Sequence, residues 1–115
     1  MNDYRLLVVD DDRAVREALR AALEDEGFTV AVAANGAEAM AKMRERPPRL
    51  VLLDLMMPVL DGFDVLDRMR DDPTLANVAV CICSAVSGWA NVEARFILHK
   101  PFGIQAVIDV VGQVS

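Results

Sequence analysis

The sequence predicts an α/β fold in which a five-stranded parallel sheet is covered by helices on both faces. Three observations point there. Five short apolar runs recur along the chain, at residues 6–9, 28–32, 50–53, 78–83 and 96–98. Each is continuously apolar or nearly so, as expected of a strand buried on both faces. Helical patterns separate most of the runs, and right-handed crossovers between parallel strands place such helices on one side of the sheet or the other.

In chain order, the first run ends at three acids, Asp10, Asp11 and Asp12. Residues 13–26 then predict an amphipathic helix: Val15, Ala18, Leu19, Ala22 and Leu23 keep the i, i+3, i+4, i+7, i+8 spacing of one buried face, and Gly27 is a natural C-terminal stop. After the second strand, Asn35 can cap a helix over 36–46 that carries a Glu38–Lys42 pair one turn apart and is ended by Pro47-Pro48. The third strand runs directly into Asp54. A third helix, about 63–70, buries Val65, Leu66 and Met69 before Asp71-Asp72-Pro73. The fourth strand holds the only cysteines, Cys81 and Cys83, two apart and so on one face of a strand as packed small side chains. No C-x-x-C spacing or distant partner points to a redox or metal role for them. The last helix, about 102–114, offers Ile104, Val107, Ile108 and Val111 to the core. Val110 and Val114 form a second apolar stripe, surplus surface that suggests a partner or a homodimer.

A chain of 115 residues is the size of one domain and buries roughly two-thirds of its unfolded surface. No apolar run approaches the roughly 20 residues of a membrane-spanning helix, and the N-terminus lacks the layout of a signal peptide, so the expected location is cytoplasmic. Eighteen acidic against twelve basic residues give a net charge of -6, which repels nucleic-acid phosphates and anionic membranes. Direct contact with either is not expected.

Ligand chemistry in an open parallel sheet lies beyond the carboxyl ends of the strands. Asp10, Asp11 and Asp12 follow the first strand, Asp54 the third, Ser84 the fourth and Lys100 the fifth. Singly these are ordinary: acids cap helices, and a lysine before Pro101-Phe102 can be a solvated side chain. Together they crowd carboxylates that cannot all stay ionised without a cation. Oxygen donors with no neighbouring Cys or His favour Mg²⁺ over zinc. His99, between Leu98 and Lys100, has no ligand spacing around it and reads as structural.

The ordered motifs Leu6-Leu7-Val8-Val9-Asp10-Asp11-Asp12, Val51-Leu52-Leu53-Asp54-Leu55-Met56-Met57-Pro58, Asp61-Gly62-Phe63, Ser84-Ala85 and Lys100-Pro101-Phe102 resemble the response-regulator receiver signature nearly end to end. The resemblance implies a flavodoxin-like sheet of strand order 2-1-3-4-5. It implies Asp54 as phosphoacceptor, Asp11 as direct metal ligand, Asp10 as the acid that orients metal-bound water, and Met56 as a backbone-carbonyl ligand to Mg²⁺. Ser84 would hydrogen-bond a phosphoryl oxygen, Ala85 would offer its backbone N–H, and Lys100 would neutralise phosphoryl charge, with a cis peptide bond to Pro101. Asp12 falls outside the usual acidic pair and is expected to cap the first helix. The implied partners are a sensor histidine kinase or phosphotransfer protein and a downstream protein target, in a chain with one receiver domain and no effector domain.

The pattern departs from the family between Ser84 and Lys100, which are closer in sequence by more than one helical turn. The fourth helix, between the fourth and fifth strands, is therefore expected to be shortened or absent, with a loop of at most one turn over 85–93. Ile97 stands where the family usually has a switch aromatic, with Phe96 one position away. Trp89 could join the apolar patch of the last helix. Three other readings differ in class. A phosphatase of the haloacid-dehalogenase type fits the acidic run after strand one but leaves Asp54 unexplained in too short a chain. A flavin carrier would need hydroxyls and N–H groups where this chain has acids. A phosphorylation-independent docking module on the same fold is the serious alternative.

Overall fold

The computed structural model describes residues 5–57, 59–84, 96–100 and 102–114, and only the backbone of Ser84. Its elements are β1 (Arg5–Val9), α1 (Arg13–Asp25), β2 (Thr29–Ala33), α2 (Gly36–Glu45), β3 (Leu50–Asp54), α3 (Gly62–Asp71), β4 (Ala79–Ser84), β5 (Phe96–His99) and α4 (Ile104–Val114). The strands pair in parallel in the order β2-β1-β3-β4-β5, the expected flavodoxin-like, doubly wound arrangement. The order reverses between β1 and β3, which places the crevice of the sheet above the carboxyl ends of those two strands. Four helices stand among the described residues, and the expectation of a fourth helix shortened or absent between β4 and β5 falls on residues outside them. The connection itself, residues 85–95 with Ala85 and Trp89, lies outside the described residues, as does Pro101.

Local signals explain where the elements begin and end. Asp12 caps α1 by accepting the backbone N–H groups of Ala14 and Val15, and Asn35 and Asp61 cap α2 and α3 in the same way. Gly27 ends α1 at φ 96°, in the left-handed region where a Cβ would be strained. The Glu38–Lys42 pair forms at 3.4 Å, and Lys42 also donates to the Val32 carbonyl.

Strand alternation divides the core into two layers. Leu7, Val9, Val51, Leu53 and Ile82 face α2 and α3, meeting Met40, Met43, Val65 and Met69. Leu6, Val8, Leu50, Leu52, Cys81 and Cys83 face α1 and α4, meeting Leu23, Val107, Val110 and Val111. Both cysteines are free and buried, packed as their spacing predicts.

Two burial expectations are corrected. In α1 only Leu23 is fully buried; Val15, Leu19 and Ala22 are half-buried and Ala18 is exposed. They line one side of an open groove of about 580 Å³, with Phe102 and Ile104 opposite, because α4 packs beside α1 without closing over it. In α4, Val110 is buried with Val107 and Val111, Ile104 and Val114 are half-buried and pack against the core, and Ile108 is half-buried. The second stripe that suggested a dimer is thus taken up mostly by this chain's own core.

Candidate functional site

The residue row on the α1/α4 side of the sheet turns from apolar to acidic at the carboxyl edge. On β1, Leu6 and Val8 are followed two residues on by Asp10; on β3, Leu50 and Leu52 are followed by Asp54; on β4, Cys83 lies opposite Asp54. One step beyond the last β1–β3 pair, Val9 with Leu53, Asp10 and Asp54 come side by side. They are the only buried charged residues among those described, 3% and 6% exposed. Asp11 is exposed, and its carboxylate joins theirs with oxygens all within 4.8 Å of one another.

Each buried acid is held. Asp10 Oδ1 accepts the Asp12 N–H at 2.9 Å, and Asp54 Oδ1 accepts the Met56 N–H at 3.2 Å. Lys100 Nζ lies 2.6 Å from Asp10 Oδ2 and 3.6 Å from Asp54 Oδ2, so the ammonium from the end of β5 sits on the first acid rather than on the third. Burial pushes the Asp54 carboxyl above its ordinary value; the Met56 N–H and Lys100 pull it back in part, and the charges of Asp10 and Asp11 push it up again. For Lys100, burial works to lower the pKa, but the hydrogen bond and charge of Asp10, with Asp54 behind them, outweigh it and hold the ammonium above its ordinary value. The Cys83 thiol is raised well above the usual range by its hydrogen bond with Cys81 and by burial, so it stays protonated beneath the acids.

The loop after β3 is shaped by two glycines. A Cβ on Gly62 would stand 2.6 Å from the Asp54 carbonyl oxygen and from Leu55 Cα, and Gly62 donates its N–H to Leu55 O at 3.0 Å. A Cβ on Gly36 would stand 2.1 Å from Leu60 O, the same carbonyl that Gly36 N–H bonds at 2.9 Å. The loop is therefore pinched onto its own helix and onto the start of α2. Val59 at its tip takes φ 70°, a left-handed conformation costly for a β-branched residue, with its side chain 82% exposed.

Of the residues singled out in the sequence, Asp10, Asp11, Asp54 and Lys100 converge. Met56 lies beside them, 59% exposed. Ser84 ends β4 opposite His99, and its side chain and Ala85 lie outside the described residues. Asp12 is a cap, and His99 is exposed and outside the acidic cluster. Phe96 packs on the α1/α4 layer while Ile97 turns to the opposite face, 42% exposed. One contact escaped the sequence reading: Arg16 Nη1 donates to the Asp10 carbonyl at 2.9 Å. Its signal was an arginine near the start of a helix, where acids are usual.

Three carboxylates against one lysine leave excess negative charge in a partly dry crevice. The donors are hard oxygens, and no His or Cys joins the group among the described residues. That set fits a small divalent cation that keeps some of its water, as Mg²⁺ does.

Residues 6–112 match the family of response regulator receiver domains. The response regulator MprA of Mycobacterium sp. (strain KMS) is 40% identical over 108 residues, covering 90% of this chain and 47% of that protein. MprA of Mycobacterium ulcerans (strain Agy99) gives the same figures of 40% identity, 90% and 47%. The chain thus spans about half the length of these relatives. Among solved structures, chemotaxis protein CheY4 of Vibrio cholerae superposes with a TM-score of 0.91 at 25% identity, covering 99% of this chain and 100% of that one. The response regulator TrrA of Thermotoga maritima, in complex with Mg²⁺ and BeF, gives 0.86 at 29% identity, covering 96% and 98%. The strand order, the acidic crevice at the β1–β3 reversal and these matches agree: the chain belongs to the response-regulator receiver domains of two-component systems.

Proposed function

We propose that Asp54 accepts a phosphoryl group from a phosphohistidine on a sensor histidine kinase or phosphotransfer protein, in a Mg²⁺-dependent reaction, and that the new charge switches a protein-interaction surface. The observation that carries this reading is the isolation of Asp54 at the end of the central strand, 6% exposed, between two further carboxylates and Lys100. A carboxylate oxygen of Asp54 bonds to phosphorus as the N–P bond of the donor breaks, its electron pair returning to the imidazole nitrogen. Such a transfer needs in-line positioning and cationic cover for the equatorial oxygens more than covalent chemistry. Mg²⁺, held by Asp11, Asp54 and the Met56 carbonyl with Asp10 orienting its water, would supply part of that cover.

The chain's own residues do the rest. The Met56 N–H fixes one Asp54 oxygen and so the direction of the other. Lys100, anchored on Asp10, stands close enough to Asp54 to turn to a phosphoryl oxygen with a small movement. Ser84 and the Ala85 N–H would hydrogen-bond the phosphoryl group, and drawing Ser84 inward would bias the segment that follows it. The output passes to a downstream protein target, and the protein is a signalling switch acting in the cytoplasm rather than a turnover enzyme. No helix among the described residues is long and apolar enough to cross a membrane.

Intact-protein mass after brief incubation with acetyl phosphate and Mg²⁺ tests the reading. One added phosphoryl group, absent with Asp54→Asn and absent without metal, is expected. No addition to folded protein, with a kinase donor also failing, would leave the phosphorylation-independent docking module as the better reading.

A further inference from the structure

We propose that Arg16 is a positioning residue of this site: by holding the peptide unit between Asp10 and Asp11 it aims the Asp11 carboxylate at the cation. The inference rests on the Mg²⁺-dependent reading above and assigns work to a residue outside the acidic motif. Arg16 Nη1 donates to the Asp10 carbonyl at 2.9 Å in a partly buried contact. That carbonyl and the Asp11 N–H lie in one rigid plane, so fixing the oxygen fixes the peptide from which Asp11 projects and narrows the directions its side chain can take.

The two acids differ in how they are held. Asp10 has its N–H on Ala33 O at 3.1 Å, Oδ1 on the Asp12 N–H and Oδ2 on Lys100. Asp11 is exposed, and among the described residues its carboxylate has no hydrogen bond or ion pair. Its aim therefore depends on the backbone it hangs from. Arg16 is the side chain that grips that backbone.

A second observation is independent of this contact. The first turn of α1 contains no acidic residue, and Arg13 and Arg16 stand at the helix end where the dipole disfavours cations by about 0.3–1 kcal/mol. Arg20, Arg44 and Arg70 form surface ion pairs, whereas neither Arg13 nor Arg16 forms one among the described residues, and of those two Arg16 has the bond to the acidic turn. An arginine at the unfavourable end of a helix, unpaired with any acid among the described residues yet bonded to the acidic turn, is explained by the turn.

The two ways Arg16 could influence the site have opposite signs. As a mere positive charge it would repel a divalent cation, and its removal would tighten binding. As a positioning group its removal leaves Asp11 to be ordered at the moment of binding, which weakens it. Losing an outer partner of a metal ligand commonly costs tenfold or more in affinity, and with Asp10 still held at three other points we expect about tenfold.

Mg²⁺ titration of the full chain by calorimetry at neutral pH decides between them, using wild type, Arg16→Gln, Arg16→Met and Arg16→Lys, with urea melts to verify folding. Expected are about tenfold weaker Mg²⁺ binding in Arg16→Gln and Arg16→Met, recovery of most of the loss in Arg16→Lys, and near-normal acetyl phosphate labelling of Arg16→Gln once Mg²⁺ is saturating. Unchanged or tighter binding in Arg16→Gln, the variant that leaves a polar group if Arg16→Met folds poorly, overturns the proposal. If wild type binds Mg²⁺ but takes no phosphoryl group, the phosphoacceptor reading fails while the titration still decides the role of Arg16; if wild type binds no Mg²⁺, both fall.

Discussion

Replacing Asp54 by Asn is expected to stabilise the metal-free protein even as it removes the proposed phosphoacceptor. At an effective dielectric of about 20, carboxylate oxygens no more than 4.8 Å apart repel by at least roughly 3.5 kcal/mol and an ammonium at 3.6 Å attracts by roughly 4.6 kcal/mol. For Asp54 the repulsion from Asp10 and the attraction of Lys100 therefore nearly cancel. The screened repulsion of exposed Asp11 and the cost of burying a charge at a site 6% exposed remain, offset in part by one backbone hydrogen bond. A net penalty of about 1–2 kcal/mol is left, consistent with the upward direction of the Asp54 pKa, and Asn removes it while keeping an oxygen for the Met56 N–H.

The assay is urea unfolding at pH 7.5 with a chelator present, where Asp54→Asn should gain about 1–2 kcal/mol, or roughly 4–8 °C in a thermal melt. The sign of the pH dependence follows from the same shift. An acid whose folded pKa is raised destabilises the native state when ionised, so wild type should gain stability as pH falls from neutral through the raised Asp54 value, toward the ordinary 3.8. Asp54→Asn should lack that gain. Added Mg²⁺ should stabilise wild type and close the gap between the two proteins. A variant less stable than wild type without metal would refute the charge argument.

Other expectations follow from single contacts. Lys100→Met strips the carboxylate of Asp10, 3% exposed, of the ion-pair partner it has among the described residues and should cost about 3 kcal/mol in metal-free urea unfolding, with Mg²⁺ restoring part of it. Gly36→Ala drives a Cβ to 2.1 Å from Leu60 O and should lose about 2–3 kcal/mol, while Gly112→Ala, in an open helical position with nothing within 4 Å, should gain about 0.5–1 kcal/mol; the same melts compare them. Val59→Asn puts a residue tolerant of φ 70° at the strained loop tip and should gain about 0.5–1 kcal/mol without changing acetyl phosphate labelling.

The sequence by itself determined the elements and their order. Continuous apolar runs, caps at Asp12 and Asn35 and the stop at Gly27 are local signals, so the strands and helices fall within a residue or two of where pattern puts them. The identities of Asp10, Asp11, Asp54 and Lys100 were legible too, because parallel strands deliver their following residues to one edge whatever the details of packing. Tertiary structure alone decided which side chains are closed off. Periodicity marks one face of α1 as apolar but not that α4 leaves it open beyond Leu23, and it does not show Val110 turned into the core, since α4 is apolar around much of its circumference. Nor does spacing show that Lys100 rests on Asp10 rather than Asp54, that Val59 is strained, or that Arg16 reaches back to the acidic turn. These depend on differences of about an ångström in the placement of groups set on different elements, and such differences are settled when helices and sheet pack together.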